Sequence, residues 1–391
     1  MFARSVRREV PLNRYRRIGV LVLLFLATVA AVVPVTAAAA AQKPGAEPAP
    51  LFLTPRRVAV LRQRLREGAE PQASAFREVR QAADEALRRD PRPPERWYVP
   101  GYYRDAEGHR RAKRPLMEDA NGAYAMALVA AMASDAAGRP YRRRTAAYLN
   151  AWATGIRSFR REDDSTLSFS YHVTPLILAA DLLRRDGDWP EADRAVFARF
   201  LREKALPMNT MGRKNNWGNW GLSMAIAIAA YIGDGDLFEK CLDRWRWFIE
   251  HQVAEDGHLP HEVKRSGGRR GLWYTNFALL PQTIAAEIAA VRGVDVYAYE
   301  SPSGRTLRQA YERAADWIRR PETFPYWKGD VDELRGVEYV GYFEILLPRW
   351  PSADAATMLE RVRPARIRHG APYLTFTHGG LPPQRRGASH Q

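Results

Sequence analysis

The sequence has almost no cysteine, which limits its covalent and metal chemistry. Its 391 residues include a single cysteine, Cys241, so an internal disulfide cannot form. Cys241 lies on the apolar side of a helical pattern, which is typical of a buried, unreactive thiol. His258 and His261 lie close together around Pro260, but no cysteine or carboxylate pair completes a zinc-type set of ligands. We therefore expect neither a metal nor a cofactor.

The sequence also lacks the runs of alternating apolar and polar residues that indicate β-strands. Helical patterns follow one another with short breaks instead, and residues 222–230 are almost uniformly apolar, which predicts a buried helix. Helix pairs joined by short turns, such as residues 233–236, are typical of an all-α fold. We predict an incomplete (α/α) barrel, or (α/α) toroid, with a cleft formed by helix ends on one face. The predicted helices span residues 55–67, 73–89, 119–136, 140–157, 172–186, 190–204, 216–232, 236–253, 273–292, 305–319 and 332–347.

Both ends of the chain differ in composition from its middle. Residues 1–17 contain six arginines, residues 18–35 are apolar, and residues 37–41 offer small-residue cleavage sites, which is the pattern of a secretory signal peptide. An uncleaved membrane anchor is the alternative, because an apolar run of 18 residues is close to the length that spans a bilayer. We predict a monomer in the periplasm or outside the cell, with no other membrane contact. The predicted segments are a signal peptide over 1–41, a linker over 42–53, one toroid domain over 54–377 and a disordered tail over 378–391.

Acidic residues are too few to balance the basic ones, and the formal net charge is +16. The six arginines and Glu9 of residues 1–41 contribute +5, which leaves +11 (16 minus 5) on the rest of the chain. Excess positive charge outside the cytoplasm suits an anionic partner such as an acidic polysaccharide. Nucleic acid is the generic alternative, but the sequence has no nucleic-acid motif and we expect no such partner. Many of the arginines are equally compatible with ordinary solvated helix faces.

Amide, guanidinium and phenol groups recur at the ends of predicted helices between residues 215 and 274. Such groups suit the removal of the C5 proton of a uronate, which places negative charge beside a carboxylate that must first be neutralised. A base then takes the proton, and an acid protonates the leaving glycosidic oxygen. Asparagine and arginine suit the first task, and a tyrosine whose pKa is lowered by a nearby arginine suits the other two. A long loop rich in proline and aromatic residues is predicted over residues 90–108, and such loops often line sites.

Three blocks of the sequence resemble the alginate lyase family of polysaccharide lyases. They are NNWGNWGLSMAIAIAAYIGDGDLF from residue 215, EDGHLPHEVKR from residue 255 and LWYTNFALLP from residue 272, with weaker similarity over residues 97–152. The family folds as an (α/α) toroid and cleaves polyuronates by β-elimination without a metal. The resemblance therefore implies a secreted lyase that leaves a 4,5-unsaturated uronate end on a substrate such as alginate or glucuronan. It also implies that Asn216 neutralises the carboxylate, Arg265 is the catalytic arginine, and Tyr274 acts as the acid and as the base.

The sequence departs from the family pattern in two places. The family has a histidine directly after the catalytic asparagine, whereas this chain has Trp217, and the Arg-to-Tyr spacing is about two residues longer, through residues 266–268. The missing imidazole favours a divergent subgroup that acts on glucuronate-containing chains, and His172 could supply an imidazole from another helix. The candidate substrate-binding residues are Asn215, Trp217, Trp220, His172, Tyr103, Lys113 and Arg270.

Structural roles and two other functions stay open on the sequence alone. Asn215 and Asn216 would also cap the helix that follows them, and Trp217, Trp220 and His172 are residue types often found in a core. A binding protein without activity would still take an acidic polysaccharide as its partner, with the tryptophan marking the lost histidine. A glycoside hydrolase on the same fold would need two facing carboxylates, and the candidates are Glu118, Asp119, Glu262 and Glu338.

Overall fold

Helices make up almost all of the regular structure in residues 49–185, 188–334 and 336–384, the part of the chain that this computed structural model describes. The side chains of Val337 and Glu338 are not part of that description. Two short strands, β1 Arg96–Trp97 and β2 Ser158–Phe159, pair in parallel. The α-helices are α1 Pro55–Arg66, α2 Gln72–Leu87, α3 Ala106–Met132, α4 Asp135–Gly155, α5 Ser165–Leu183, α6 Glu191–Phe200, α7 Asn216–Ile232, α8 Gly235–Gln252, α9 Pro260–Val263, α10 Gly271–Val291, α11 Leu307–Arg319, α12 Phe343–Leu346, α13 Ala353–Val362 and α14 Leu374–His378.

The ends of several helices follow directly from the local sequence. The side chain of Thr54 accepts a hydrogen bond from the backbone N–H of Arg57, and Pro55 lies in the first turn of α1, as predicted. Helix α7 has the predicted bounds and ends where Gly233 adopts a left-handed conformation with φ 74°. Local capping chemistry therefore accounts for the start of α1 and for both ends of α7.

Helix α3 begins at Ala106, well before the predicted start at residue 119. The side chain of Asp105 accepts a hydrogen bond from the backbone N–H of Gly108 and so caps the helix. Pro115 lies inside the helix, and together with the charged residues around it this proline hides the helical pattern in the sequence. The helix packs against α2, α4 and α5, and tertiary packing of this kind outweighs local propensity.

Helices α3, α5, α7 and α10 form the inner layer of the fold, because each contacts the next in this series. Every residue of α5 is buried, and so is nearly every residue of α7 and α10, as expected for helices covered on all sides. Helices α4 and α8 pack outside this layer on α3 and α7. The double layer of helices confirms the predicted (α/α) toroid.

The packing at both ends corrects the predicted boundaries of the domain. Residues Leu51, Phe52 and Leu53, assigned from the sequence to the linker, are buried. At the other end, His378 and Gln384 are buried, and the Gln384 amide bonds to the backbone of Phe52 and Thr54, so residues 378–384 are not a disordered tail. The predicted signal peptide and residues 385–391 lie outside the described residues.

None of the described helices has the length and the apolar character needed to cross a membrane.

Candidate active site

Asn216 and Glu262 form a buried hydrogen-bonded pair at the start of α7. Asn215 caps this helix by accepting a hydrogen bond from the backbone N–H of Trp217, which leaves the Asn216 side chain available for other contacts. The backbone N–H of Asn216 donates to one carboxylate oxygen of Glu262 at 2.8 Å, and its Nδ2 donates to the other at 2.9 Å. Among the described residues, the Asn216 Oδ1 atom has no hydrogen-bond partner.

A tight turn between α9 and α10 places Arg265 beside Tyr274. Ser266, Gly267 and Gly268 all have positive φ values, and at Gly268 a Cβ atom would lie 1.8 Å from a backbone carbonyl oxygen, so only glycine fits there. The turn brings the guanidinium carbon of Arg265 to 4.4 Å from the centre of the Tyr274 ring. The turn therefore keeps Arg265 and Tyr274 in contact although they are nine positions apart in the sequence.

The hydroxyl group of Tyr274 lies at 2.9 Å from that of Tyr103, and either oxygen could be the donor. Tyr274 is 8% exposed, whereas Tyr103, on the loop before α3, is 75% exposed. Burial raises the pKa of Tyr274 and the hydrogen bond to Tyr103 raises it further, whereas the nearby charges of Arg265 and Arg270 lower it. The pKa is raised on balance, which corrects the expectation of a tyrosine whose pKa a nearby arginine lowers. The guanidinium carbon of Arg270 lies at 5.4 Å from the centre of the Tyr274 ring.

Glu262 is an unusual carboxyl group because it is only 2% exposed. Burial raises its pKa from 4.5 to about 7, against the opposing effects of the two hydrogen bonds from Asn216 and the charge of Arg265. Its carboxylate lies at 3.8 Å from Nε of Arg265. One buried carboxyl group therefore touches both of the residues expected to neutralise a substrate carboxylate.

A second group of polar residues surrounds Tyr171 on the inner face of α5. The ammonium group of Lys113 lies at 3.3 Å from the Tyr171 hydroxyl group, and burial lowers the pKa of Lys113 to about 8. His172 and His369 lie with their ring centres 5.0 Å apart. Burial lowers the pKa of both imidazoles well below the usual value, so both are neutral near pH 7. Phe277 contacts both Tyr171 and Tyr274, so the two groups of residues are adjacent.

The comparison with known proteins agrees with this geometry. The family model described as alginate lyase matches residues 67–324, which is more than half of the chain. The chain belongs to the alginate lyase family.

Two similar proteins are named as lyases. An alginate lyase of Pseudomonas fluorescens (strain SBW25) is 27% identical over 177 residues, which are 45% of this chain and 43% of that protein. A polysaccharide lyase of Stenotrophomonas maltophilia (strain K279a) is 28% identical over 172 residues, or 44% of this chain and 50% of that protein. The chain thus spans about half, or less, of the length of these relatives.

Solved structures of alginate lyases share the fold. A His-to-Ala variant of alginate lyase A1-III, complexed with tetrasaccharide, superposes with a TM-score of 0.66 at 18% identity, over 83% of this chain and 94% of that one. An alginate lyase from Bacteroides ovatus gives a TM-score of 0.65 at 16% identity, over 84% and 98%. At these identities the likeness establishes the toroid alone.

Trp217 and Trp220, the two tryptophans of the block that begins at residue 215, occupy different environments. Trp217 is partly exposed, and the guanidinium carbon of Arg213 lies at 5.4 Å from its ring centre. Trp220 is 0% exposed and packs against Tyr171 and Phe277. This corrects the prediction that Trp220 binds substrate, because a ring with no exposed face cannot stack on a sugar. The same correction applies to His172, which is also completely buried.

The structure brings Asn216, Arg265, Tyr274, Tyr103 and Arg270 together and places Lys113 in the neighbouring group, and the roles assigned to these residues stay predictions. The sequence analysis missed two features of the site. The hydrogen bonds of Glu262 to Asn216 join residues 46 positions apart, and no pattern in the sequence signals such a contact. His369, which stacks on Tyr339, lies in a segment that carries no motif.

Two other carboxylate candidates, Glu118 and Asp119, have structural partners. Glu118 pairs with Arg92 and Arg114, and Asp119 is buried and accepts hydrogen bonds from the backbone N–H of Arg92 and from Trp152. Neither contact involves Glu262, so no facing pair of the kind a hydrolase needs is formed by these three residues. The side chain of Glu338 lies outside the described part of the chain.

Within the residues that the structure describes, no three His, Cys, Asp or Glu side chains come together in a way that could hold a metal ion. Cys241 is buried, as predicted, and burial raises its pKa to about 12. A thiol with so high a pKa is unreactive near pH 7.

Proposed function

We propose that the chain is a lyase that cleaves a uronate-containing polysaccharide by β-elimination and leaves a 4,5-unsaturated uronate end. The observation that carries this proposal is the contact of Arg265 with Tyr274, next to the amide of Asn216. These three residues supply the groups that the reaction requires: a neutraliser for the carboxylate, a positive charge and a proton carrier. Membership of the alginate lyase family supports the same reaction class.

The first step of the proposed reaction is neutralisation of the substrate carboxylate. Asn216 offers a buried amide that Glu262 holds in place, and the remaining N–H of its Nδ2 is the group that can donate to a carboxylate once substrate reaches it. Arg265 is partly exposed and offers positive charge. Together they stabilise the negative charge that develops when C5 loses its proton.

The second step is proton transfer by Tyr274. The phenolate oxygen takes the C5 proton, the electron pair of that bond forms the C4–C5 double bond, and the C4–O bond breaks. The leaving oxygen then takes the proton from the phenol. The raised pKa of Tyr274 suits donation of the proton, whereas Arg265 and Arg270 act in the opposite direction on its pKa and favour the base step.

Substrate choice and location are further parts of the proposal. Trp217 replaces the imidazole found in the family pattern, so we propose a glucuronate-containing chain rather than alginate as the preferred substrate. The basic and then apolar residues 1–41 support export to the periplasm or beyond, and the N-terminal sequence of the mature protein tests that part.

The decisive experiment digests a panel of alginate blocks, glucuronan, hyaluronan and heparin-type chains and follows the ultraviolet absorbance of the unsaturated product. We expect activity on at least one polymer, and a fall of about a thousandfold or more in Tyr274→Phe with the circular dichroism unchanged. A fully active Tyr274→Phe variant would overturn the mechanism. Binding of a polymer without turnover would show instead a polysaccharide-binding protein, in which Trp217 marks the lost histidine.

A further inference from the structure

Glu262 is the one carboxyl group that contacts both Asn216 and Arg265 among the described residues. We propose that Glu262 is a positioning residue that fixes the orientation of the Asn216 amide by accepting its N–H, and so sets which amide atoms face the substrate carboxylate. The inference rests on the proposed lyase function and adds a residue to it that acts through Asn216.

The geometry of a primary amide explains why orientation matters. Its two ends differ chemically, since Nδ2 donates two hydrogen bonds and Oδ1 accepts them, and a half-turn about the last side-chain bond exchanges them. Glu262 removes this ambiguity, because an ionised carboxylate only accepts and therefore selects Nδ2 as its neighbour. The remaining N–H of Nδ2 and the buried, unpartnered Oδ1 are then held in fixed positions, and the N–H is the end that can donate to a substrate carboxylate.

Capping of α7 does not by itself explain a buried acid at this place. Asn215 already provides the side-chain cap of the helix, and a neutral acceptor would serve the backbone N–H of Asn216 equally well. A buried carboxylate costs solvation free energy, which is why the pKa of Glu262 rises to about 7. What only an ionised carboxylate provides is acceptance by both oxygens at once, from the backbone and from the amide side chain.

The groups that face Glu262 come from three elements. Asn216 on α7 and Arg265 in the turn after α9 contact Glu262, and Tyr274 on α10 enters through Arg265, whose guanidinium group lies over its ring. Arg265 is the charged side chain that lowers the pKa of Glu262. Protonation of Glu262 would turn one of its two acceptors into a donor, and the orientation of the amide would no longer be fixed.

The matched test compares Glu262→Gln with Glu255→Gln, an exposed glutamate on the preceding segment. In Glu262→Gln the new amide can still accept from the Asn216 backbone, but its NH2 group faces Nδ2, so the Asn216 amide turns over to present Oδ1 to it. We expect kcat to fall about 10- to 100-fold, with the stability of the fold retained. The wild-type enzyme should lose activity below about pH 7 as Glu262 takes up a proton, and Glu262→Gln should lack this decline. Glu255→Gln should match the wild-type enzyme.

A second measurement reads the contact directly and does not depend on activity. With selective ¹⁵N-asparagine labelling, the side-chain amide signal of Asn216, assigned by its loss in Asn216→Ala, should shift with an apparent pKa of about 7. This titration should be absent in Glu262→Gln. It also remains informative if Glu262→Gln fails to fold, since the wild-type titration alone tests the contact.

The outcomes separate this inference from the proposed function. An active wild-type enzyme with an equally active Glu262→Gln variant overturns the positioning role and leaves the lyase function standing. A wild-type amide signal that does not titrate also overturns it. Absence of activity on every polymer overturns the lyase function and, with it, any positioning role in that reaction, even if the amide titrates.

Discussion

Replacing Glu262 by glutamine should make the stability of the protein less dependent on pH. In the folded protein, burial holds the pKa of Glu262 at about 7, compared with an ordinary value of 4.5. Because the folded state binds this proton more tightly than the unfolded state, the protonated form stabilises the fold. That stabilisation is fully present below about pH 4.5 and is lost as the pH rises through about 7.

The magnitude follows from the two pKa values. Their difference, at about 1.4 kcal/mol per pH unit, corresponds to about 3 kcal/mol of free energy of unfolding. Glutamine keeps the volume of the side chain and, like the protonated carboxyl group, has one accepting and one donating end, but it never ionises, so the variant lacks this pH-dependent loss. At alkaline pH the less active variant should therefore be the more stable protein.

The assay is urea unfolding of the wild-type protein, Glu262→Gln and the control Glu255→Gln between about pH 5 and about pH 8. The free energy of unfolding of Glu262→Gln, relative to wild type, should rise by about 2 to 3 kcal/mol over this range, since the effect is not yet complete at pH 5. The control should follow the wild-type curve, because an exposed glutamate has no comparable burial. If the curves of wild type and Glu262→Gln run parallel, Glu262 is not a buried acid with a raised pKa and the reasoning fails.

Three further predictions test neighbouring parts of the site. Tyr103→Phe removes the hydrogen bond that raises the pKa of Tyr274, so the optimum of the pH–rate profile should move to lower pH; an unchanged optimum would show that the contact does not act on the phenol. Lys113 has a pKa lowered to about 8, so KM for a polyanionic substrate should rise as the pH passes that value, and Lys113→Arg should remove the rise. Gly268→Ala should lower the free energy of unfolding by about 3 kcal/mol, because the new Cβ meets a backbone oxygen at φ +99°. Its control, Gly267→Ala, has a positive φ but open space and should cost about 1 kcal/mol; equal losses would contradict the steric argument.

Much of the fold could be predicted because its information is local. The apolar run of residues 222–230 and the cap at Asn215 give α7 its bounds, and Thr54 with Pro55 gives the start of α1. The start of α3 could not be predicted, because packing against α2 and α5 stabilises a segment whose proline and charges argue against a helix.

Part of the candidate site could also be predicted, since the family resemblance brought Asn216, Arg265 and Tyr274 together and the structure places them in one cluster. The side chains of Trp220 and His172 could not be assigned in this way. The sequence shows that these residues are aromatic but not whether they are buried. Their burial depends on how the neighbouring helices pack around them.

The sequence by itself determined the helical architecture, the buried thiol and the chemical groups of the site, because periodicity, capping and motif spacing act over a few residues. Only the tertiary structure decided which groups meet. Asn216 and Glu262 are separated by 46 positions, and their contact depends on how α7 and α9 pack against α10. The raised pKa of Glu262 also depends on the tertiary structure, since the desolvation that causes it is a property of the surrounding fold and not of the residue.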